Sequence, residues 1–406
     1  MKKISFALIA NFIGLYLLST GVSWAAFSYL KKEPDGSSKK QNVSDESSAI
    51  DPGLPKTEEC PINGAMYSEP VRDIWETRRP LTAMVENHLD ARPLSGISRA
   101  DVVYEAVAEG GITRFLGVFY CDAAISDFRL AVIRSARVYY INWAAEYGTY
   151  PIFLHWGGAN NICNSCYRGV KEQGKIASEV DAFKLLDKIG WRNGTYGNDM
   201  DGQSNLGYPA LKRLPNRLSD TEDAATEHQP TAFINDVYKE AEDRGFSYVD
   251  SDGKKWNENF RQWLFTNDKP VKEEIIKDIS FVFWSNKGDY DVSWKYDEEN
   301  NLYKRFNGGR EFVDLEYDNR QVSAKNIVIQ FVKERGPVDQ ELHMNYDIVG
   351  KGDFLLFNNG TVTEGTWKKE GITARTAFFD EKGKEISFVR GQIWIEAIPT
   401  GNKINY

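Results

Sequence analysis

Carboxylate and guanidinium side chains occur close together in the stretch EAVAEGGITRFLGVFYC, residues 105–121. Glu105 and Glu109 precede a Gly-Gly pair, and Arg114 lies in the almost wholly apolar run that follows. An unpaired buried guanidinium costs much free energy, so a carboxylate partner for Arg114 is expected. The group predicts either a polar binding pocket or a buried ion pair that only stabilises the local structure, and the pattern leaves both open.

The same stretch predicts a β-hairpin whose two-residue turn is the Gly-Gly pair. A helix over residues 100–109 is the alternative, but the valines and the long apolar continuation favour strands. In the expected register Glu109 is next to the turn and Arg114 lies opposite Val107. Because residues two apart in a strand share a face of the sheet, Glu105, Glu109 and Arg114 are predicted to point to one side.

Two more arginines follow in AVIRSARVYYINWAAEYG, residues 131–148. This segment predicts a short strand and then a helix with Ser135 as its N-cap, so that Arg134 and Arg137 flank the cap. Backbone N–H groups at the start of a helix attract anions, and two arginines add to this effect. The alternative is that both arginines are solvated or pair with nearby carboxylates.

A histidine lies at the end of the next predicted strand, in TYPIFLHWGG, residues 149–158. In open α/β sheets, ligands bind at the carboxyl ends of the strands, which makes His155 a candidate for the rim of a site. A single histidine is, however, more often a structural hydrogen-bonding group.

The four cysteines are Cys60, Cys121, Cys163 and Cys166, and they allow three pairings. We favour Cys163 with Cys166, which closes a short loop, and Cys60 with Cys121, which ties the start of the folded region to the end of a core strand. For the CxxC motif a structural disulfide is favoured over redox activity, and redox activity over a metal site. The sequence predicts no metal and no cofactor.

The first residues predict a membrane anchor. Residues 4–30 carry no charge, and this run is longer than the roughly 20 residues that a helix needs to cross a bilayer. We predict a signal anchor, a transmembrane helix, in residues 1–32 and a disordered linker in residues 33–59, which are rich in polar residues, Gly and Pro. The chain would then cross the cell membrane once, with its bulk extracytoplasmic.

The composition and pattern of the remaining chain predict an α+β protein. A mixed α/β domain with a central sheet is expected over residues 60–250, a connector over 251–274 and a smaller, mostly-β domain over 275–400. The net charge of -9 argues against a nucleic-acid partner, because nucleic-acid binders usually carry a basic surface.

Several segments resemble a known family. RPLTAMVENHLDARPLSGISRADVVYEAVAEGGITRFLGVFY, IRSAR and HWGG are similar to hallmark segments of the YerB-like family of bacterial envelope proteins, and residues 279–309 and 390–399 resemble its second domain. The resemblance implies a membrane-tethered, extracytoplasmic protein of a kind described as a lipoprotein, and it implies no activity. A lipoprotein needs a cysteine at the end of its signal peptide. Since no cysteine precedes Cys60, we expect tethering by the anchor helix, or cleavage and release.

Three functions follow from these features. The first is binding or scaffolding in the cell envelope, in which the arginines hold an anionic group of a cell-wall polymer and His155 lines the rim. The second is a cell-wall hydrolase or lyase, with Glu109 as general acid and His155 as base. The third is a structural partner of an envelope protein. We favour binding over catalysis, because the sequence contains no nucleophile elbow, HExxH or similar motif.

Overall fold

The computed structural model describes residues 50–161, 176–192 and 197–406. The predicted anchor and most of the predicted linker lie outside the described residues, as do Cys163 and Cys166. Within the described ranges, no helix has both the length and the apolar character that crossing a bilayer requires. Ile50–Tyr406 forms one compact unit, so the folded chain begins before the predicted end of the linker.

The described residues contain helices and strands throughout. The four α-helices are α1 (Glu69–Trp75), α2 (Val138–Ala144), α3 (Ala182–Lys188) and α4 (Ile234–Asp243). The strands before residue 250 are β1 (Glu58–Glu59), β2 (Met66–Tyr67), β3 (Leu81–Glu86), β4 (Val102–Glu109), β5 (Ile112–Phe119), β6 (Arg129–Ala131), β7 (Ile152–His155), β8 (Asp199–Asp201), β9 (Leu211–Arg213) and β10 (Pro230–Phe233). The later strands are β11 (Leu264–Thr266), β12 (Asp278–Phe281), β13 (Val292–Asp297), β14 (Leu302–Asn307), β15 (Arg310–Glu311), β16 (Val313–Asp314), β17 (Arg320–Gln321), β18 (Ser323–Ala324), β19 (Asn326–Arg335), β20 (Asn345–Asp347), β21 (Gly350–Asn358), β22 (Thr361–Lys369), β23 (Ala377–Asp380), β24 (Ser387–Val389), β25 (Ile393–Pro399) and β26 (Ile404–Asn405). The predicted α+β class is confirmed.

One large sheet contains strands from both predicted regions. Its order is β23-β22-β21-β19-β25-β4-β5-β3-β7-β8, and β20 pairs with β19. The two regions meet where β25 runs parallel to β4, from the pair Val102 and Ile393 to the pair Glu105 and Glu396. Smaller sheets have the orders β6-β10-β9, β15-β14-β13-β12-β26, β11-β24, β16-β17 and β1-β2, and β18 pairs with β14. The regions therefore share one sheet, and the domain boundaries drawn from the sequence stay a prediction.

The hairpin and one disulfide are as predicted. β4 and β5 pair antiparallel, and both turn glycines have positive φ, +58° at Gly110 and +82° at Gly111. Almost every residue of both strands is buried, which explains why they read as continuous apolar runs rather than as an alternating pattern. The predicted disulfide between Cys60 and Cys121 is confirmed and joins the segment before α1 to the end of β5.

The predicted register of the hairpin is wrong beyond the turn. A β-bulge between Val107 and Glu109 shifts the pairing, so that Arg114 lies opposite Ala106. A shift of one residue moves side chains to the other face of a sheet. Glu105 therefore lies on the opposite face of the hairpin from Glu109 and Arg114.

On its own face, Glu105 belongs to a buried ion triad at the boundary between the two regions. Arg305 of β14 forms ion pairs with Glu105 of β4 and, at 2.7 Å, with Glu396 of β25. All three side chains are fully buried, and the Arg305 guanidinium lies 4.6 Å from the centre of the Trp394 ring. Burial and the neighbouring Glu105 raise the pKa of Glu396 well above its usual range, although Arg305 acts in the opposite direction.

Removing the central guanidinium should destabilise the fold. We expect Arg305→Ala to lower the free energy of unfolding by about 3–5 kcal/mol, because two carboxyl groups then stay buried without their cation. The matched control is Arg129→Ala, since the Arg129 side chain is 52% exposed and pairs with Glu316 at the surface. The control should lose less than about 1 kcal/mol in urea unfolding followed by tryptophan fluorescence. Equal losses in both variants would contradict a central role for the triad.

Candidate functional site

The structure brings together one predicted glutamate and two predicted arginines. Glu109 Oε1 forms an ion pair with Arg114, and Oε2 accepts a hydrogen bond from Arg137 Nη2 at 2.7 Å. The two arginines are buried, whereas the Glu109 side chain is 28% exposed. Arg114 also donates to the Ser135 carbonyl oxygen at 3.2 Å, and Arg137 donates to the Ala136 carbonyl oxygen at 2.9 Å. The carboxylate that Arg114 requires is thus Glu109 alone.

The N-cap of the following helix differs from the expected one. α2 begins at Val138, and Arg137 occupies the cap position without a side-chain capping bond. The Ser135 hydroxyl instead donates to the carbonyl oxygen of Trp156 at 3.1 Å. The orientation of the Arg137 side chain is therefore set by its ion pair with Glu109.

The charge state of Glu109 is set by its two partners. Burial by itself would raise the pKa of this carboxyl, but Arg114 and Arg137 outweigh burial and lower the pKa to about 2. Glu109 is therefore ionised at neutral pH and holds no proton to donate as a general acid.

His343 also belongs to this cluster, although no sequence pattern identified it as a site residue. It forms an isolated β-bridge with Glu109, and its Nδ1 lies 3.0 Å from Asp339 Oδ2. Burial and the nearby Arg137 lower the pKa of His343 and so favour the neutral ring. Its position follows from a β-bridge to a distant part of the chain, for which the local sequence carries no signal.

Arg134 belongs to a neighbouring group of charges. Its Nε lies 3.0 Å from Glu86 Oε1, and Glu86 Oε2 lies 2.9 Å from His228 Nδ1. Arg134 thus pairs with Glu86 at the end of β3 and not with Glu109, and the expectation that the three arginines hold one anion stays a prediction.

His155 ends β7 as predicted, but it does not line a rim. Its side chain is fully buried, its Nε2 contacts Asp199, and its Nδ1 lies 2.7 Å from the carbonyl oxygen of Gly157. Burial alone would lower the pKa of His155, but Asp199 and Asp201 outweigh burial and raise it. A fully buried histidine held by a carboxylate and a backbone carbonyl oxygen has the surroundings of a structural hydrogen-bonding group.

The main surface cavities do not coincide with the predicted site residues. None of the six predicted site residues lines the five main surface cavities of the described part of the chain. The largest of these five has a volume of about 610 Å³ and lies between the segment after α2 and residues 370–375. Its walls include Glu146, Trp191, Arg261 and Arg375.

Arg375 is the unusual residue of this cavity. It is 7% exposed, and its guanidinium carbon lies 3.5 Å from the centre of the Trp263 ring and 4.3 Å from that of Tyr147. None of its three nitrogens makes a hydrogen bond of acceptable geometry with the described residues. The carboxylate oxygen paired with it, Glu146 Oε2, is 3.8 Å from Nη1.

Glu146 is already occupied by other partners. It lies 2.9 Å from the Lys369 ammonium group and accepts hydrogen bonds from the Thr376 hydroxyl at 2.6 Å and its backbone N–H at 3.1 Å. Arg375 therefore shares the Glu146 carboxylate with Lys369, which lies closer to it, and the guanidinium has only this one carboxylate, at 3.8 Å, among the described residues. The sequence around Arg375 contains no motif that distinguishes this arginine from others.

Comparison with known proteins defines the class of this protein. Two regions match one family, described as "Protein of unknown function (DUF3048)": the N-terminal domain matches residues 68–193 and the C-terminal domain matches residues 279–395. The chain belongs to this two-part family, which confirms the resemblance noted in the sequence.

One relative and one solved structure are informative. The chain is 27% identical over 350 residues to "Putative lipoprotein YerB" of Bacillus subtilis (strain 168), a match that covers 86% of this chain and 88% of the relative. The crystal structure of the YerB protein from Bacillus subtilis superposes with a TM-score of 0.64 and 24% identity, covering 86% of this chain and 100% of that chain. This likeness shows a shared fold.

The Glu109 ion pairs predict a specific pH dependence of stability. A carboxyl whose folded-state pKa lies below its unfolded value stabilises the fold above the unfolded pKa, and this contribution is lost as the pH falls towards the folded pKa. With the pKa at about 2, we expect Glu109→Gln to lower the free energy of unfolding at pH 7 by roughly 3 kcal/mol. The difference from the wild type should shrink between about pH 5 and pH 2.

The control for this measurement is Glu381→Gln, which changes an exposed carboxylate. It should alter the free energy of unfolding little at any pH, as followed by urea unfolding at a series of pH values. A constant difference between Glu109→Gln and the wild type from pH 7 down to pH 2 would contradict the assigned ion pairs.

Proposed function

We propose that this protein is a membrane-associated binding or scaffolding protein of the bacterial cell envelope. Three observations support the location. The relative from Bacillus subtilis is named as a lipoprotein, residues 4–30 form an uncharged apolar run, and Cys60 and Cys121 form a disulfide, a bond that persists in oxidising compartments. The proposed tether is the segment 1–32, and the rest of the chain is extracytoplasmic.

Cell fractionation tests the tether. In a bacterial host, the full chain should sediment with membranes, and its folded part should be cut by protease added outside the cytoplasm. Deleting residues 1–32 should move the protein to the soluble fraction, whereas deleting residues 33–49 should not. A soluble product of full length, or a membrane-bound product that protease reaches only from the cytoplasmic side, would contradict the proposed tether.

We propose that the bound group is anionic and that it binds at Arg375. The supporting observation is the buried guanidinium of Arg375, whose nitrogens have no hydrogen-bond partner in the described part of the chain. Buried polar groups are normally satisfied, and a guanidinium matches the paired oxygens of a carboxylate or phosphate. A ligand oxygen would therefore supply what the cavity wall lacks.

The cavity offers the size and surroundings that such a ligand needs. Its volume of about 610 Å³ falls within the usual range for small-molecule sites, which spans roughly 300–1,000 Å³. A second guanidinium, that of Arg261, lines the cavity; its side chain is 52% exposed and paired with Glu385 at 2.6 Å. Cell-wall polymers carry both carboxylate and phosphate groups, and we propose such a polymer as the partner.

Two other hypotheses drawn from the sequence, an anion site at Arg114 and Arg137 and a hydrolase site, have less support. Arg114 and Arg137 already share the carboxylate of Glu109, so they offer no uncompensated charge to an anion. The hydrolase alternative required a protonated Glu109 and an accessible His155, and neither condition holds.

Substitution of Arg375 separates binding from folding. Arg375→Met should weaken binding of the full chain to purified cell-wall sacculi by about tenfold or more, the cost of losing charge-assisted hydrogen bonds. It should leave the free energy of unfolding unchanged or higher, because methionine packs among the same rings without a charge to desolvate. Co-sedimentation measures binding, and urea unfolding measures stability.

The binding experiment also needs a control variant and a comparison of the two groups that could supply the anion. Arg129→Met removes an exposed guanidinium outside the cavity and should bind as the wild type does. Sacculi stripped of phosphate-containing polymers distinguish a phosphate from a peptide carboxylate. Equal binding by the wild type and Arg375→Met in both arms would refute the Arg375 site, and retention of an envelope protein instead of sacculi would assign the scaffold role to that protein.

A further inference from the structure

We propose that His88, Asp90 and His228 bind one divalent transition-metal ion of the zinc type. One potential ligand atom from each residue lies within 4.8 Å of the others. The two imidazole rings are 5.1 Å apart between centres, and their planes are inclined to each other by 19°. Two histidines bound to one zinc ion at about 2.0–2.1 Å through nitrogens at tetrahedral angles would have ring centres at roughly this separation.

The ligand-bearing residues lie in two short turns from different parts of the chain. His88 follows β3 and precedes the single turn Leu89–Ala91, which contains Asp90. His228 ends another single turn, Thr226–His228. His88 Nδ1 accepts a hydrogen bond from the backbone N–H of Asp90 at 3.3 Å and lies 3.7 Å from Asp90 Oδ2. This nitrogen therefore carries its lone pair on the side of the carboxylate, and a bound ion would replace the Asp90 N–H at that lone pair.

Arg217 links these two turns. Its Nε donates to the carbonyl oxygen of His228 at 2.7 Å, its Nη1 donates to that of Pro93 at 3.0 Å, and its Nη2 donates to that of Ala91. One guanidinium thus bonds to the backbone on both sides of the proposed site. Because the turns are held together before any ion binds, binding requires little rearrangement.

Glu86 sets the tautomer of His228. Its Oε2 lies 2.9 Å from His228 Nδ1, while its Oε1 lies 3.0 Å from Arg134 Nε. In the tautomer whose Nδ1–H donates to Glu86, the Nε2 atom of His228 keeps its lone pair for an ion. A carboxylate behind a histidine is the usual arrangement around protein-bound zinc.

The surroundings favour a particular type of ion. Two imidazoles and one carboxylate suit Zn²⁺ and similar ions, whereas Mg²⁺ and Ca²⁺ prefer oxygen ligands only. Asp90 and His88 have side-chain exposures of 71% and 34%, which leaves the site open to water for a fourth position. The site shares no residue with the Arg375 cavity, so either proposal can fail without the other.

Calorimetric titration with zinc chloride tests the site. The protein used is the full chain with the substitutions Cys163→Ser and Cys166→Ser, which remove the thiols of the CxxC motif as competing ligands. This protein should bind one equivalent of Zn²⁺ with a micromolar or lower dissociation constant and should show no such binding of Mg²⁺. His88→Ala and Asp90→Asn should each weaken zinc binding by about tenfold or more; both residues are partly or largely exposed, so the fold should persist.

The matched control is His343→Ala, which removes a histidine paired with Asp339 outside the proposed site. It should leave zinc binding unchanged. Visible absorption of bound Co²⁺ provides a second readout, because the band reports the ligands directly and should be lost in His88→Ala. Absence of stoichiometric zinc binding, or binding that survives His88→Ala with the same Co²⁺ spectrum, would overturn the proposal.

Discussion

The fold depends on the burial of one guanidinium between two carboxyl groups. Arg305 lies where β4, β14 and β25 meet, and it has no access to water. A charge in such a place is tolerated only with partners, and Glu105 and Glu396 supply them from separate parts of the chain. The parallel pairing of β4 with β25 brings these two carboxyl groups side by side. The two regions of the family are therefore joined by a sheet and by one ion triad.

The β-bulge in the central hairpin divides the charges of the protein between two faces. On one face, Glu105 takes part in the triad at the boundary between the regions. On the other face, Glu109 holds Arg114 and Arg137 close to the start of α2. Without the extra residue of the bulge, all these groups would share one side, as the simple alternation of a strand implies. The bulge thus converts one expected polar cluster into two structural ones.

Charges that are fully hydrogen-bonded stabilise the protein, and a buried guanidinium without hydrogen bonds is the feature on which the proposed binding site rests. Glu109 and Glu86 each hold two basic partners, so their clusters are complete within the chain. In the described part of the chain, Arg375 is the buried arginine whose Nε, Nη1 and Nη2 all lack hydrogen bonds. The fold that this chain shares with the YerB protein from Bacillus subtilis provides the frame for this cavity, whereas the proposed ligand follows from the charge alone.

The sequence by itself determined the features that depend on neighbouring residues. The apolar runs on both sides of Gly110 and Gly111 specify a buried hairpin, because strand propensity and turn geometry are local properties. The pairing of Cys60 with Cys121 also followed from the sequence, since it joined the start of the folded region to the end of a predicted strand. The tertiary structure alone decided the partners of the charges. The bulge shifts the pairing of Glu105 by one residue and thereby places its side chain on the other face of the sheet. Its partner Arg305 lies in a strand 200 residues away along the chain. Electrostatic partners are set by distance in space, and local sequence patterns carry no information about contacts between strands so far apart along the chain.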